Sequence, residues 1–267
     1  MSEVAAMANS GQRGAIKPFG TGRAVLWRGG MIWIGTAGEP TDFHAHHAIQ
    51  LALALSGGEV RFRRPGDDWT AYKAAIVGAH QPHAFEARDE LVALILVEPE
   101  STEGQAIGQL YSEGIASLPA DAFAPESAAL AAAFNDGASD AELIACARAV
   151  ISALGSVHPS PARPLDRRIE RAIAILRERP GDAITMAEIA EAVFLSPERF
   201  RHLFLQETGI RFRPYVLWLR LELAVACSAA GNSLTDAAHA GGFADSAHFS
   251  RTFKRMFGIA PVSVRRE

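Results

Sequence analysis

The sequence predicts a two-domain chain, a β domain followed by an all-α domain, on three observations. Short apolar runs separated by turn residues fill residues 23 to 99, with no helical pattern between them. A stretch with three prolines, residues 155 to 164, then divides the chain. Beyond it the apolar spacing is helical, and one pattern occurs twice. Phe200, Phe204, Gly209 and Ile210 recur 49 positions later as Phe249, Phe253, Gly258 and Ile259. A helix, a tight turn and a second helix that stops at glycine is a helix-turn-helix pattern. Its repetition implies two such units in tandem.

In the first zone, strands are expected over 24–27, 31–34, 49–55, 59–63, 74–77 and 91–97. Ser56-Gly57-Gly58 suits a hairpin turn, because glycine tolerates the positive φ such turns need. Pro65-Gly66-Asp67-Asp68 and Gln81-Pro82-His83 are further turn signals. Many short strands without intervening helices indicate a sandwich or barrel. Residues 120–154 are rich in Ala and Leu at helical spacing and are split by Asn135-Asp136-Gly137. They predict a helical hairpin that packs on the barrel or on a partner subunit. The expected order is a flexible terminus (1–22), a barrel (23–100), a helical packing or dimerisation segment (101–154), a stiff extended linker (155–164) and a helical tail (165–267).

In the tail, Ile169, Ile173 and Leu176 define one helix face, and Pro180-Gly181 ends that helix. Thr185 with Glu188 forms a capping box for the next helix, whose Met186, Ile189, Ala190 and Val193 face a core. Ser196 caps the first candidate recognition helix, with Pro197 in its first turn. Phe200, Leu203 and Phe204 are its buried stripe, and Gly209 stops it in the left-handed conformation. A long helix from about Pro214 carries Trp218, Leu221 and Val225 toward both lobes. Ser233 and Asp245 cap the helices of the second unit, in which Phe249, Phe253 and Met256 face inward.

A length of 267 residues fits about two domains. The net charge of −4 is unevenly placed: residues 163–267 hold 16 Lys and Arg against 12 Asp and Glu, a balance of +4, which leaves −8 for the rest. Attraction to nucleic acid depends on the local patch, so the total does not exclude it. Cys146 and Cys227 are too few for a disulfide framework or a thiolate metal site. The first fifteen residues lack a long apolar core, so a secretory signal is not expected. The longest apolar helix, near 216–230, is interrupted by Arg220 and Glu222 and is unsuited to a bilayer. A cytoplasmic protein is expected. No nucleophile–His–carboxylate set and no phosphate-binding glycine loop is present, so an enzyme is not expected.

The run from Gly209 through Phe212 and Tyr215, then Leu219-Arg220-Leu221 and Ala224, resembles the junction of AraC/XylS-type transcriptional regulators. So does Gly242-Phe243 through Asp245, His248-Phe249, Arg251, Phe253-Lys254-Arg255, Gly258, Pro261 and Arg265. The resemblance covers residues 166–266. It implies seven helices in two helix-turn-helix lobes joined by one long helix and bound along one side of double-stranded promoter DNA. Ala247, Val264 and Pro214 depart from the usual pattern without removing a core or capping role. Carried over position by position, Glu198, Arg201 and His202 face base edges, with Arg201 able to pair with guanine. Ser246, Ala247, Ser250 and Arg251 hold the corresponding positions in the second helix, bordered by His248. Arg199, Arg211 and Lys254 suit phosphate. Arg220 suits a structural salt bridge. A homodimer is expected, with RNA polymerase a further partner if the protein activates; no membrane partner is expected.

In the first zone, His44, His46 and Gln50 can share one face of an extended chain, because residues at i and i+2 point the same way. The spacing resembles the first motif of cupin barrels, His-x-His-x3-Glu, with Gln50 in the glutamate position and His83 as the second-motif histidine. Among AraC-type sensor domains this resemblance implies a pocket for a small-molecule effector, lined by Trp33, His44, His46, Gln50, His83 and Phe85. No cofactor is expected, since Gln50 in place of a carboxylate lowers the site's negative charge. The alternative is a divalent ion at His44, His46, Gln50 and His83, in a metal-dependent enzyme or metal sensor fused to the tail.

Overall fold

The structure, a computed structural model, describes residues 19–108, 111, 114–157, 164–179, 184–261 and 264–265. Residues 1–18 of the expected terminal segment, 158–163 of the expected linker, and the Pro180-Gly181 helix stop lie outside the described residues.

The first half forms two sheets. Strands β1 (Gly20–Trp27), β2 (Gly30–Ala37), β3 (Ile49–Ala54), β6 (Ala74–Val77), β8 (Glu90–Val97) and β9 (Ile115–Ser117) belong to one of them. Its order is completed by β10 (Val264–Arg265), giving β10-β1-β2-β8-β3-β6-β9. The other sheet is β5 (Thr70–Tyr72), β4 (Val60–Arg63) and β7 (Ala84–Glu86), in the order β5-β4-β7. Val60 and Phe62 are buried and alternate with the half-buried Arg61 and Arg63, the period-two pattern of a strand with one face on a core. An isolated backbone bridge between His44 and His83 ties the segment before β3 to the segment before β7.

Helices α1 (Thr102–Gly108), α2 (Ala124–Asn135) and α3 (Asp140–Val157) follow. Gly137 turns between α2 and α3 at φ 70°, and the hairpin packs on the barrel. Leu130, Leu143, Ala147, Val150, Ile151 and Leu154 share one core with Ile32, Leu51, Ile76 and Ile95 of the large sheet. Gly155 falls within α3.

The tail contains α4 (Arg167–Glu178), α5 (Met186–Ala192), α6 (Pro197–Thr208), α7 (Phe212–Ala229), α8 (Leu234–Ala240) and α9 (Ser246–Phe257). These are six helices among the described residues, where the resemblance implies seven. Residues 264–265 instead pair in parallel with Gly20 and Thr21, adding a strand to the edge of the large sheet. Local chemistry sets the helix boundaries. Thr185 with Glu188, and Ser233 with Asp236, form reciprocal capping boxes. Ser196 and Asp245 accept from backbone N–H groups of α6 and α9, and each such cap stabilises its helix by about 1 kcal/mol. Helix α7 starts two residues before Pro214, which sits in its first turn, where a missing N–H removes no helical bond.

Each lobe has its own core. Phe200, Phe204, Phe212, Tyr215 and Trp218 pack with α4 and α5 in the first. Leu221, Ala224, Ala237, Ala238, Phe243 and Phe249 form the second. Arg220 serves structure through a carbonyl rather than an ion pair: its Nε donates to the Gly241 carbonyl at 2.8 Å, and its guanidinium lies over the Phe243 ring. No helix among the described residues is long and apolar enough to cross a membrane.

Candidate functional site

Helix α6 presents the residues expected to read DNA on one exposed face. Phe200, Leu203 and Phe204 are buried, while Glu198, Arg199, Arg201 and His202 all stand in solvent. Glu198 is the hub of that face. It accepts from Arg201 Nη2 at 2.6 Å and lies 2.7 Å from His202 Nε2. These two partners hold its carboxyl below the usual carboxylate range. Water screens such exposed pairs and leaves them weak, so a better partner can displace them. Arg211 is exposed at the start of α7. Phe194, unmarked by the sequence pattern, is 95% exposed in the turn before α6 and holds a positive φ of 57°.

Helix α9 departs from the symmetry of the repeat. Ala247, Arg251 and Lys254 are exposed, while Ser246 and Ser250 are half-buried. His248 packs edge-on against Phe243, with ring centroids 5.3 Å apart. Phe249 fills the lobe core as its counterpart Phe200 does, but Phe253 is only half-buried and, with Phe257, turns toward the barrel. Lys254 Nζ pairs with Asp42 Oδ2 at 2.9 Å, and the Asp42 N–H donates to the Gly258 carbonyl at 2.9 Å. Gly258 has φ 71°, and a Cβ there would stand 2.3 Å from the Asp42 carbonyl oxygen and 2.6 Å from His44 Nδ1. Only glycine allows this approach of α9 to the barrel loop.

That approach forms one side of a partly open cavity of about 180 Å³ between the domains. The barrel supplies Met31, Trp33, Thr41, His44, Gln50, Phe85, Leu94 and Leu96, and the second lobe supplies Val225, Ser228, Phe249, Phe253, Phe257 and Ile259. Of the six residues expected to line a pocket, Trp33, His44, Gln50 and Phe85 do so, whereas His46 and His83 stand behind them. The half of the wall contributed by α7 and α9 was not foreseen from sequence. Phe257 follows Phe253 by one helical turn, and this was the available signal.

The histidines converge at the cavity wall, which His44 lines. His44, His46 and His83 are buried, and one potential ligand atom from each lies within 4.8 Å of the others. Every Nδ1 faces a backbone carbonyl: His44 to Asp42 at 2.9 Å, His46 to Ala48 at 2.9 Å and His83 to Gln81 at 2.8 Å. A carbonyl only accepts, so each Nδ1 carries the proton and each Nε2 is a bare lone pair. His46 Nε2 lies 2.9 Å from Gln50 Oε1, and the buried His83 Nε2 has no hydrogen-bond partner. Burial, aided by mutual repulsion, lowers His44 to about 3 and holds His83 well below the usual histidine range. Burial also lowers His46.

Two anchors meet where the barrel contacts the tail, the first an ion pair across the two and the second a barrel pair packed on a tail ring. Arg177 of α4 forms an ion pair with the buried Glu98, which follows β8, and lies 3.4 Å from Glu222 of α7. Trp218 Nε1 donates to Glu98 Oε1 at 3.4 Å. Burial opposes the Arg177 charge, yet Glu98 and Glu222 outweigh it and keep the guanidinium protonated. In the second anchor His47 Nε2 meets Glu100 Oε2 at 2.8 Å, with the Tyr215 ring edge-on to His47. Burial would raise the Glu100 carboxyl, but His47 beside it holds it low.

A family described as a helix-turn-helix domain matches residues 189–267. The chain is 38% identical over 102 residues to an uncharacterized HTH-type transcriptional regulator, YidL, of Escherichia coli, covering 38% of this chain and 34% of that protein. It is 31% identical over 112 residues to the arabinose operon regulatory protein of the same organism, covering 41% of this chain and 37% of the other. The chain thus spans about a third of the length of the curated relatives it matches. Over nearly its whole length, the fold is similar to that of unsaturated fatty acid-bound ToxT from Vibrio cholerae. The TM-score is 0.57 at 12% identity, covering 89% of this chain and 93% of that one. The two-domain fold is therefore shared with ToxT, and residues 189–267 match the helix-turn-helix domain family, in keeping with the relatives named as regulatory proteins.

Proposed function

We propose that this chain is a sequence-specific DNA-binding transcription regulator whose barrel and second lobe together hold a small effector. The observation that carries the reading is the α6 face, where a capped helix with a buried aromatic stripe presents Glu198, Arg199, Arg201 and His202 to solvent. Arg201 is the residue that reads a guanine edge. Arg199, Arg211 and Lys254 take phosphates, and Ser246, Ala247, Ser250 and Arg251 face the second groove segment beside His248.

The cavity suits a largely apolar molecule with one hydrogen-bonding end. Its wall is mostly apolar, with large Trp, Phe, Leu and Met side chains prominent, and Thr41, His44, Gln50 and Ser228 are its polar groups. The ToxT structure similar to this one holds an unsaturated fatty acid, a molecule of that general character. Because both domains line the cavity, a molecule filling it favours the docked arrangement, to the extent of its differential affinity for that arrangement. Docking also holds Lys254 on Asp42, away from phosphate. Effector binding therefore weakens DNA binding by the second lobe.

Substituting Arg201→Ala is expected to weaken binding to the preferred DNA site by ~1–3 kcal/mol and to relax one base position. Fluorescence anisotropy across a panel of single-base variants checks this. An equal loss on every sequence would reassign Arg201 to phosphate.

A further inference from the structure

Phe194 is an outlier in the turn of the first helix-turn-helix unit. Its side chain is almost wholly in solvent, and its φ of 57° lies in the left-handed region, which bulky residues occupy only under strain. The repeat shows what the turn itself needs. In the first unit the Phe194 N–H donates to the Glu191 carbonyl, and the Leu195 N–H donates to the Ala190 carbonyl. In the second, Gly242 donates to His239 and Phe243 to Ala238, with the same spacing. Gly242 therefore occupies the position of Phe194, at φ 65°. Glycine makes this turn without strain. The next residues, Leu195 and Phe243, pack on the two lobe cores, whereas the Phe194 ring faces water. A strained position that holds a large exposed ring points to a role outside the fold.

The place of the ring indicates what covers it. Phe194 stands two residues before Ser196, the N-cap of α6, at the end of the helix where Pro197, Glu198 and Arg199 are exposed. A recognition helix meets base edges with its N-terminal residues, so DNA that reaches Glu198 and Arg199 also reaches the turn before them. We propose that Phe194 is a specificity-determining contact of the first lobe, its ring packing on the 5-methyl group of a thymine at the border of the half-site read by α6. The inference rests on the regulator reading of α6. Thymine presents an apolar methyl group in the major groove, where the other bases present hydrogen-bonding atoms. A ring without polar atoms discriminates by covering that methyl. Arg201 then reads guanine through hydrogen bonds, and Phe194 adds an apolar preference beside it. Glycine at 194 would fold at least as well and lose the contact, the usual opposition of stability and function at a strained site.

The test compares the full-length chain with its Phe194→Gly variant. The probe is the duplex that the unaltered protein enriches from a random library, with its thymines replaced one at a time by uracil, which lacks the methyl group. The variant is expected to melt no lower than the unaltered protein, and up to about 4 °C higher, because the backbone strain is gone. A lower melting temperature would mean that the ring supports the fold, and overturns the proposal. On the thymine duplex the variant should bind about four- to tenfold more weakly. One uracil replacement should weaken the unaltered protein about fourfold, the contribution of one buried methyl group, and leave Phe194→Gly unaffected. Equal sensitivity of the two proteins to every uracil overturns the contact and leaves the regulator reading in place. Equal affinity for the thymine duplex does the same, and if promoter control is then lost, the ring meets a protein instead of DNA. Enrichment of no duplex by the folded, unaltered chain overturns both readings.

Discussion

Substituting Phe204→Ala is expected to cost ~3–5 kcal/mol of stability and to abolish DNA recognition by the first lobe. Phe204 is fully buried. Its ring lies 5.4 Å from Phe200, 5.8 Å from Phe212 and 5.2 Å from Tyr215, centroid to centroid, so truncation empties the middle of an aromatic cluster contributed by α6 and α7. Such cores are packed as densely as organic crystals and collapse only partly around a void. In a chain of this size the melting temperature should fall by roughly 6–20 °C, read by loss of helical circular dichroism. The counterpart in the second copy, Phe253→Ala, should cost less, because Phe253 is half-buried and lines the interdomain cavity. Equal losses for the two variants would mean that the lobes are as symmetric as their sequences, contrary to the contacts described.

The second large effect is expected at Arg177. Arg177→Ala leaves Glu98 buried without its guanidinium and near Glu222. Removing one partner of a buried ion pair costs ~3–5 kcal/mol, whereas replacing both with apolar groups of similar volume is often neutral. The double variant Arg177→Met, Glu98→Leu should therefore recover most of the loss seen in Arg177→Met alone. Chemical denaturation of the four proteins in this cycle checks it. A double variant whose loss equals the sum of the single losses would show that the two side chains do not depend on each other. Because Glu98 follows a barrel strand and Arg177 lies on a tail helix, the same cycle measures how firmly the domains are joined.

The fold was legible wherever the sequence carried periodicity or chemistry at element boundaries. The strands at 74–77 and 91–97 and the caps at Thr185, Ser196, Ser233 and Asp245 stand where short apolar runs and capping residues place them. Strands β5, β7 and β9 have three residues each, too few to show alternation. Strand β10 exists through its pairing with β1, a contact across almost the whole chain that no local pattern announces. The α6 face was readable because every residue on it comes from one helix. The cavity was half-readable: Trp33, His44, Gln50 and Phe85 come from the barrel, but the wall supplied by Val225, Phe253 and Phe257 exists only once the tail docks. The sequence marked Phe253 as a copy of Phe204 and hence as lobe core. It packs against that core and, with the Asp42 loop drawn close to Gly258, also lines the cavity.

The central claim is that two helix-turn-helix lobes read two successive stretches of the major groove. Selection of the full-length chain against a random oligonucleotide library tests it most directly. The expected result is an enriched site with two half-sites about one helical turn, roughly 10–10.5 base pairs, apart on one face of the duplex. Arg201→Ala should relax one base position within one of these half-sites. Enrichment of no sequence by a folded protein, with uniform and salt-sensitive binding to all DNA, would contradict the account.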